Sequence, residues 1–217
     1  MPEILKLAGF QRTKWVPHCI SNFEDPPYDY DDLKSQLETR NGKIIYVGGF
    51  YSDKNNRLTS LKRKLGNKFD IYGRYPLNGH LLTLLSILDR KPLFYRVKPI
   101  TEAQKEILYS KYSIGINMHL SSPSVEVGNA RLYELAYRGV TQIVDFSNVS
   151  LVQKIFSPEK EILCYTNLDE CIEQVYRLKN DNELRISLAI NAYKKAIESY
   201  NYKKIMLELA EWFKQML

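Results

Sequence analysis

Residues 113–146, SIGINMHLSSPSVEVGNARLYELAYRGVTQIVDF, run from one apolar stretch through a polar loop and an amphipathic segment to a second apolar stretch. The apolar stretches, Ser113 to Met118 and Gln142 to Phe146, lack the alternation of half-exposed strands. They read as strands buried on both faces of a parallel sheet. Ala130 to Tyr137 between them reads as a helix, so the chain passes from strand to helix to strand. Glu126 and Glu134, with seven residues between them, lie in the loop and on the helix together with Gly128 and Arg131.

The same alternation extends in both directions. Further strands are expected at Lys43 to Gly48, Phe69 to Tyr72, Leu93 to Val97 and Glu161 to Tyr165. Helices are expected near Asn55 to Leu65, Gly79 to Asp89, Glu102 to Ser110, Asp169 to Leu178, Glu183 to Ser199 and Lys203 to Met216. Leu168, Cys171, Ile172, Val175 and Leu178 recur at helical spacing, as do Ile205, Leu209, Trp212, Phe213 and Met216. This is an α/β pattern, a Rossmann-like parallel sheet flanked by helices. The first forty residues differ: NFEDPPYDYDDL carries a proline pair and an acidic run, so residues 1–40 read as a linker or N-terminal extension leading into a short helix. Residues 41–217 carry the alternation and are expected to form one domain.

Composition narrows the function. At 217 residues and 44% hydrophobic content the chain can build its own core. Cys19, Cys164 and Cys171 have neither metal-ligand spacing nor the density of a disulfide scaffold, which points to free thiols in the cytoplasm and to no metal site. No run approaches the roughly 20 apolar residues of a membrane span. The net charge of +6 favours anionic partners, but 31 basic residues are interspersed with 25 acidic ones, a weak nucleic-acid signal that a bound phosphate satisfies equally well.

In a doubly wound sheet, ligands bind beyond the carboxyl ends of the strands, where helix N-termini offer free amides. Five loops qualify. The first, VGGFYSDKNNR, supplies Gly48 and Gly49 for close backbone approach, with Lys54 and Arg57 near the next helix start. It suits a diphosphate, although it has neither the full dinucleotide fingerprint nor a Walker lysine. The second brings Gly73 and Arg74, the third places Thr101 as an N-cap, and the fourth begins with His119. The fifth brings Glu126, Gly128, Asn129, Arg131 and Glu134. A carboxylate accepts two hydrogen bonds at once, so Glu134 suits the paired hydroxyls of a ribose, and Glu126 suits sugar hydroxyls beyond a diphosphate.

These glutamates and their surroundings resemble the motif of retaining glycosyltransferases with the GT-B fold. YSIGINMHL, then EVGNARLYELAYRGVTQIVDF, then IFSPEKEILCYTNLDECIEQVYRLKNDNELR is similar to the sugar-nucleotide-binding half of that fold. The spore-maturation-protein-like group is nearest in pattern, through its Asn-x-Arg-x-x-Glu helix, here Asn129, Arg131 and Glu134. The resemblance implies that Glu134 binds the ribose of a UDP- or GDP-linked sugar. It also implies that Glu126 helps place the transferred sugar and that Gly128 offers amides to the diphosphate, with Gly48 and Gly49 lining its other side; His119, a catalytic candidate, and Gly73, a ligand-binding one, join them by their positions at the ends of strands alone. Arg57, then Lys54, are the candidates for the cation that stabilises the leaving diphosphate.

A complete enzyme of this fold has two halves, and only the donor half is recognised here. The expectation is therefore that a further domain or a partner chain supplies the acceptor-binding half. The apolar stripe ending at Trp212 and Phe213 then either covers this domain's core or awaits a partner. The acceptor would be a glycan or another hydroxyl compound. Two other readings compete: a non-catalytic nucleotide-binding or scaffold module of the same fold, and nucleic-acid binding through KRKLGNK, which reads more simply as a solvated helix face.

Overall fold

The computed structural model describes residues 14, 16–17, 27–49, 52–73, 100–119, 129–146 and 152–216. The elements are α1 (Tyr30–Thr39), β1 (Asn41–Val47), α2 (Ser52–Leu65), β2 (Phe69–Tyr72), α3 (Glu102–Tyr109), β3 (Tyr112–Asn117) and α4 (Ala130–Tyr137). They continue with β4 (Thr141–Asp145), α5 (Val152–Ile155), β5 (Leu163–Tyr165), α6 (Leu168–Asn180), α7 (Asn182–Ser199) and α8 (Tyr202–Lys214). The helix expected at Gly79 to Asp89 and the strand expected at Leu93 to Val97 lie outside the described residues.

Strand β1 shows why both faces of the sheet are covered. Ile44 and Tyr46 enter one core, Ile45 and Val47 enter another, and all four are buried. On the first face Leu58, Leu61 and Leu65 of α2 meet Cys171, Val175 and Leu178 of α6 over Ile114, Ile116 and Ile143. On the other, Leu132, Tyr133 and Ala136 of α4 pack with Val144, Val152, Ile155, Phe156, Ala192 and Ala196. Each large aliphatic side chain buried this way contributes about 1.5–3 kcal/mol. The strands run parallel in the order β2-β1-β3-β4-β5. The expected α/β sheet flanked by helices is what forms.

Capping sets the helix limits. Asn129 caps α4 by accepting from the Leu132 amide at 3.2 Å, and Thr101 and Gln104 make a reciprocal capping box at α3. Gly139, at φ 62°, ends α4 in the left-handed conformation that an L side chain resists. Strand β5 begins at Leu163, two residues later than the apolar pattern suggested. Glu161 belongs instead to a turn: its carboxylate accepts from the Ser157 amide and pairs with Lys195 at 2.8 Å.

The short helix expected after the acidic run is α1, and it is bound into the fold. Leu33 and Leu37 are buried against Ile186, Ala189 and Tyr193 of α7. At the other end of the chain, α8 buries Ile205 but leaves Leu207 and Phe213 60% and 57% exposed, so its apolar stripe is only partly covered. No helix among the described residues is long and apolar enough to cross a membrane.

Candidate functional site

The strand order places β1 and β3 side by side with their connections running to opposite sides, which opens a crevice at the carboxyl ends of these two strands. Gly48 follows β1, Gly73 follows β2, Asn117 ends β3 and Asp145 ends β4. The crevice is therefore lined by residues that are far apart in sequence.

Gly48 and Gly73 touch. The Gly48 amide donates to the Tyr72 carbonyl at 2.9 Å, and a Cβ on Gly73 would lie 1.8 Å from the Gly48 carbonyl oxygen. Gly48 also meets the helix beyond β3: a Cβ there would lie 2.1 Å from Arg131 Nη2 and 2.8 Å from the Tyr46 hydroxyl. Only glycine leaves room for the guanidinium at this point. Gly49 stands at the crevice as well, its carbonyl accepting from the Tyr46 hydroxyl at 3.4 Å.

Arg131 is held from below. Its guanidinium carbon lies 4.7 Å from the centre of the Tyr46 ring, and Nη1 donates to Asn117 Oδ1 at 3.3 Å. Asn129 Nδ2 donates to the same oxygen at 2.9 Å. These two donors fix the orientation of the Asn117 amide, because only its oxygen can accept from both. Asn117 is fully buried, and its Nδ2 has no hydrogen-bond partner among the described residues. No carboxylate pairs with Arg131 among the described residues.

Glu134 lies one helical turn beyond Arg131 and so on the same side of α4. Its Oε1 accepts from Lys105 Nζ of α3 at 2.7 Å, with the Glu134 side chain about one-third exposed at 32%. The pairing leaves Oε2 with acceptor capacity for a ligand hydroxyl.

A second group lies beside the first at the ends of β3 and β4. Arg57 of α2 donates to Asp145 Oδ2, and Asp145 is buried. Opposite charge therefore faces the guanidinium that the sequence suggested as the cation for a diphosphate. His119 is also buried, with Nδ1 3.1 Å from the Asp145 carbonyl oxygen; a carbonyl only accepts, so Nδ1 carries the proton. Tyr165 closes the floor, and burial, with Cys171 and Asp145 nearby, pushes its hydroxyl well above the usual phenol range. Lys54, in the first turn of α2, is buried.

The structure thus brings Gly48, Gly49, Gly73, Asn129 and Arg131 to one place, with Glu134 one turn along, and sets Arg57 and His119 beside Asp145. Glu126, Gly128 and Arg74 lie outside the described residues. Sequence reading overlooked Asn117, Lys105 and Asp145. A hint existed for the first, since an asparagine inside an apolar strand requires partners.

Residues 54–211 match the Glycosyl transferase-like family. No curated protein matches the chain. Among solved structures, the C-terminal domain of a glycosyl transferase group 1 family protein (LpcC) from Francisella tularensis is similar, at 13% identity and a TM-score of 0.56, over 82% of this chain and 95% of that one. HepE of Anabaena in complex with UDP-glucose gives a TM-score of 0.65 at 14% identity, over 88% of this chain and 54% of that one. Sucrose-phosphate synthase from Thermosynechococcus elongatus gives 0.67 at 16% identity, over 99% of this chain and 56% of that one. The chain spans about half the length of the last two, and its fold is that of a GT-B half. By sequence and by fold, the chain belongs to the glycosyl transferase-like family.

Proposed function

We propose that this chain is the donor-binding part of a glycosyltransferase, taking a nucleoside diphosphate sugar in the β1/β3 crevice and presenting its sugar to an acceptor hydroxyl. The observation that carries this reading is the meeting of Gly48 with Arg131, which joins the glycine loop after β1 to the Asn-Arg-Glu helix at the topological switch. A diphosphate there lies against peptide amides at the start of α4 and against a guanidinium with no described carboxylate partner.

Glu134 takes the ribose, using Oε2 while Lys105 holds Oε1. Breaking the glycosidic bond places charge on the leaving diphosphate, and Arg131 with the helix amides stabilises that charge as it develops. Arg57 and Lys54 serve the crevice at longer range, and His119 belongs with Glu126 on the sugar side. HepE, a similar fold, is known in complex with UDP-glucose, which supports UDP over GDP as the first donor to test. A hexose as the transferred sugar, retention of configuration and a cytoplasmic setting belong to the same proposal. So does the division into residues 1–40 and a donor domain at residues 41–217, completed by an acceptor-binding half.

Titration calorimetry with UDP, GDP and ADP tests the reading. Saturable binding by at least one nucleotide is expected. Glu134→Ala should weaken it by about 1–3 kcal/mol, the usual worth of hydrogen bonds to a charged group. Absence of binding by all three would leave the fold as a scaffold.

A further inference from the structure

At the opposite end of the sheet, where β1 and β4 begin, two arginines are buried together. Arg40 lies between α1 and β1 with 9% of its surface exposed, and Arg185 lies in the first turn of α7 with 8% exposed. No carboxylate pairs with either among the described residues. Arg40 Nη1 donates to the Gly139 carbonyl at 2.9 Å, and Arg185 Nη2 donates to Asn182 Oδ1. The Thr141 hydroxyl donates to the main-chain carbonyl of Arg185 at 2.8 Å, so the backbone of Arg185 and the side chain of Arg40 are both seated on the turn between α4 and β4, near enough for the two charges to act on each other.

Arg40 Nε and Nη2 and Arg185 Nη1 are buried and have no hydrogen-bond partner among the described residues. Nε and Nη2 form one edge of a guanidinium, the edge that receives two oxygens of one anion side by side. A buried, charged donor left unmade is costly, and two like charges near each other add to that cost. Burial pushes the Arg40 guanidinium below its usual range, with Arg185 adding to the fall and Tyr28, whose ring centre lies 6.0 Å from Cζ, opposing it, and burial lowers Arg185 as well.

We propose that Arg40 and Arg185 form a binding site for a small divalent oxyanion of the phosphate class. Two oxygens meet the Arg40 Nε/Nη2 edge, and a third meets Arg185 Nη1. A dianion balances both guanidinium charges, whereas a monocarboxylate balances one. Because Arg40 follows α1 directly and Arg185 opens α7, the bound anion fastens α1 to the body of the domain. It does so far from the donor crevice.

Thermal unfolding and calorimetric titration with inorganic phosphate test this on the full chain, against acetate and against chloride at matched ionic strength. At about ten times its Kd, phosphate should raise Tm by roughly 3–6 °C for a protein of this size. Acetate and chloride should not. Arg40→Lys and Arg185→Lys keep the charge but remove the planar fork, and should abolish the phosphate-specific part of the rise. Arg131→Ala should retain it, which separates this site from the crevice. Equal effects of phosphate, acetate and chloride on the wild-type protein, or no calorimetric heat with phosphate, would overturn the proposal without recourse to any variant. A rise that persists in both lysine variants would overturn it too, since excluded salts stabilise proteins generally.

Discussion

The contact between Gly48 and Arg131 makes a quantitative prediction through Gly48→Ala. The φ of Gly48 lies outside the left-handed region, so alanine fits the backbone and steric contact is the main cost. The new methyl would stand 2.1 Å from Arg131 Nη2, 3.0 Å from Cζ and 2.8 Å from the Tyr46 hydroxyl. The guanidinium is the tip of a flexible side chain and yields first. In moving it loses a long hydrogen bond to Asn117, worth about 1 kcal/mol, and its place over the Tyr46 ring, worth about 0.5–2 kcal/mol. Gly48→Ala should therefore cost about 1–3 kcal/mol in urea denaturation. In an Arg131→Ala background the guanidinium is already gone and only the Tyr46 contact persists, so the same substitution should cost less than about 1 kcal/mol. The double-mutant cycle should show a coupling of about 1–2 kcal/mol. Costs that add to within about 0.5 kcal/mol would refute the contact and, with it, the joined crevice. UDP affinity should follow the guanidinium, falling about tenfold or more in either single variant.

The remaining predictions concern neighbouring groups. Arg57→Met should destabilise by roughly 3 kcal/mol, because it removes the cation that faces the buried Asp145 carboxylate. Asp145→Ala should cost less, since Arg57 keeps 20% of its side chain in water; denaturation midpoints of the two variants check the order. Lys105→Met should leave the fold intact but loosen Glu134, so that calorimetry shows weaker UDP binding than wild type and tighter than Glu134→Ala. Burial pushes the Cys164 and Cys171 thiols up to about 12, against about 8.5 in an unfolded chain. Between those values the folded protein keeps protons that the unfolded chain has released. Stability is thus complete below about pH 8.5 and falls as pH rises, by up to about 1.4 kcal/mol per pH unit for each thiol. Urea midpoints at about pH 8 and pH 10 measure the fall, and Cys171→Ala should flatten it.

The β3–α4–β4 unit was legible because its signals are local. Both strands are buried on two faces, so they are written as apolar runs, and Asn129 sits where an N-cap must be. The placement of Arg131 in the first turn and Glu134 one turn later follows from helical periodicity alone. The partners were not legible, because they are tertiary. Lys105 stands 29 residues from Glu134, Arg57 stands 88 from Asp145, and Arg40 stands 99 from Gly139. No periodicity relates such pairs. The pattern of one segment states which face is buried but is silent on which polar group of another segment arrives there.

The same distinction decides which cation serves the crevice. By chain order, Arg57 was the natural choice, since it follows the glycine loop after the first strand. Asp145 faces it in the fold, and a cation beside a buried carboxylate presents a largely cancelled field to any third charge. Arg131 rests on an aromatic face and a neutral amide, which orient it without cancelling its charge. Charge stabilisation in a transition state depends on fixed, uncompensated dipoles and ions aimed at the place where charge appears. By that criterion Arg131→Ala should reduce transfer to an acceptor more than Arg57→Ala does, in an assay that supplies the acceptor-binding half the proposed function requires. The reverse order would mean that Asp145 releases Arg57 when the donor binds, and would assign the diphosphate to the loop after β1.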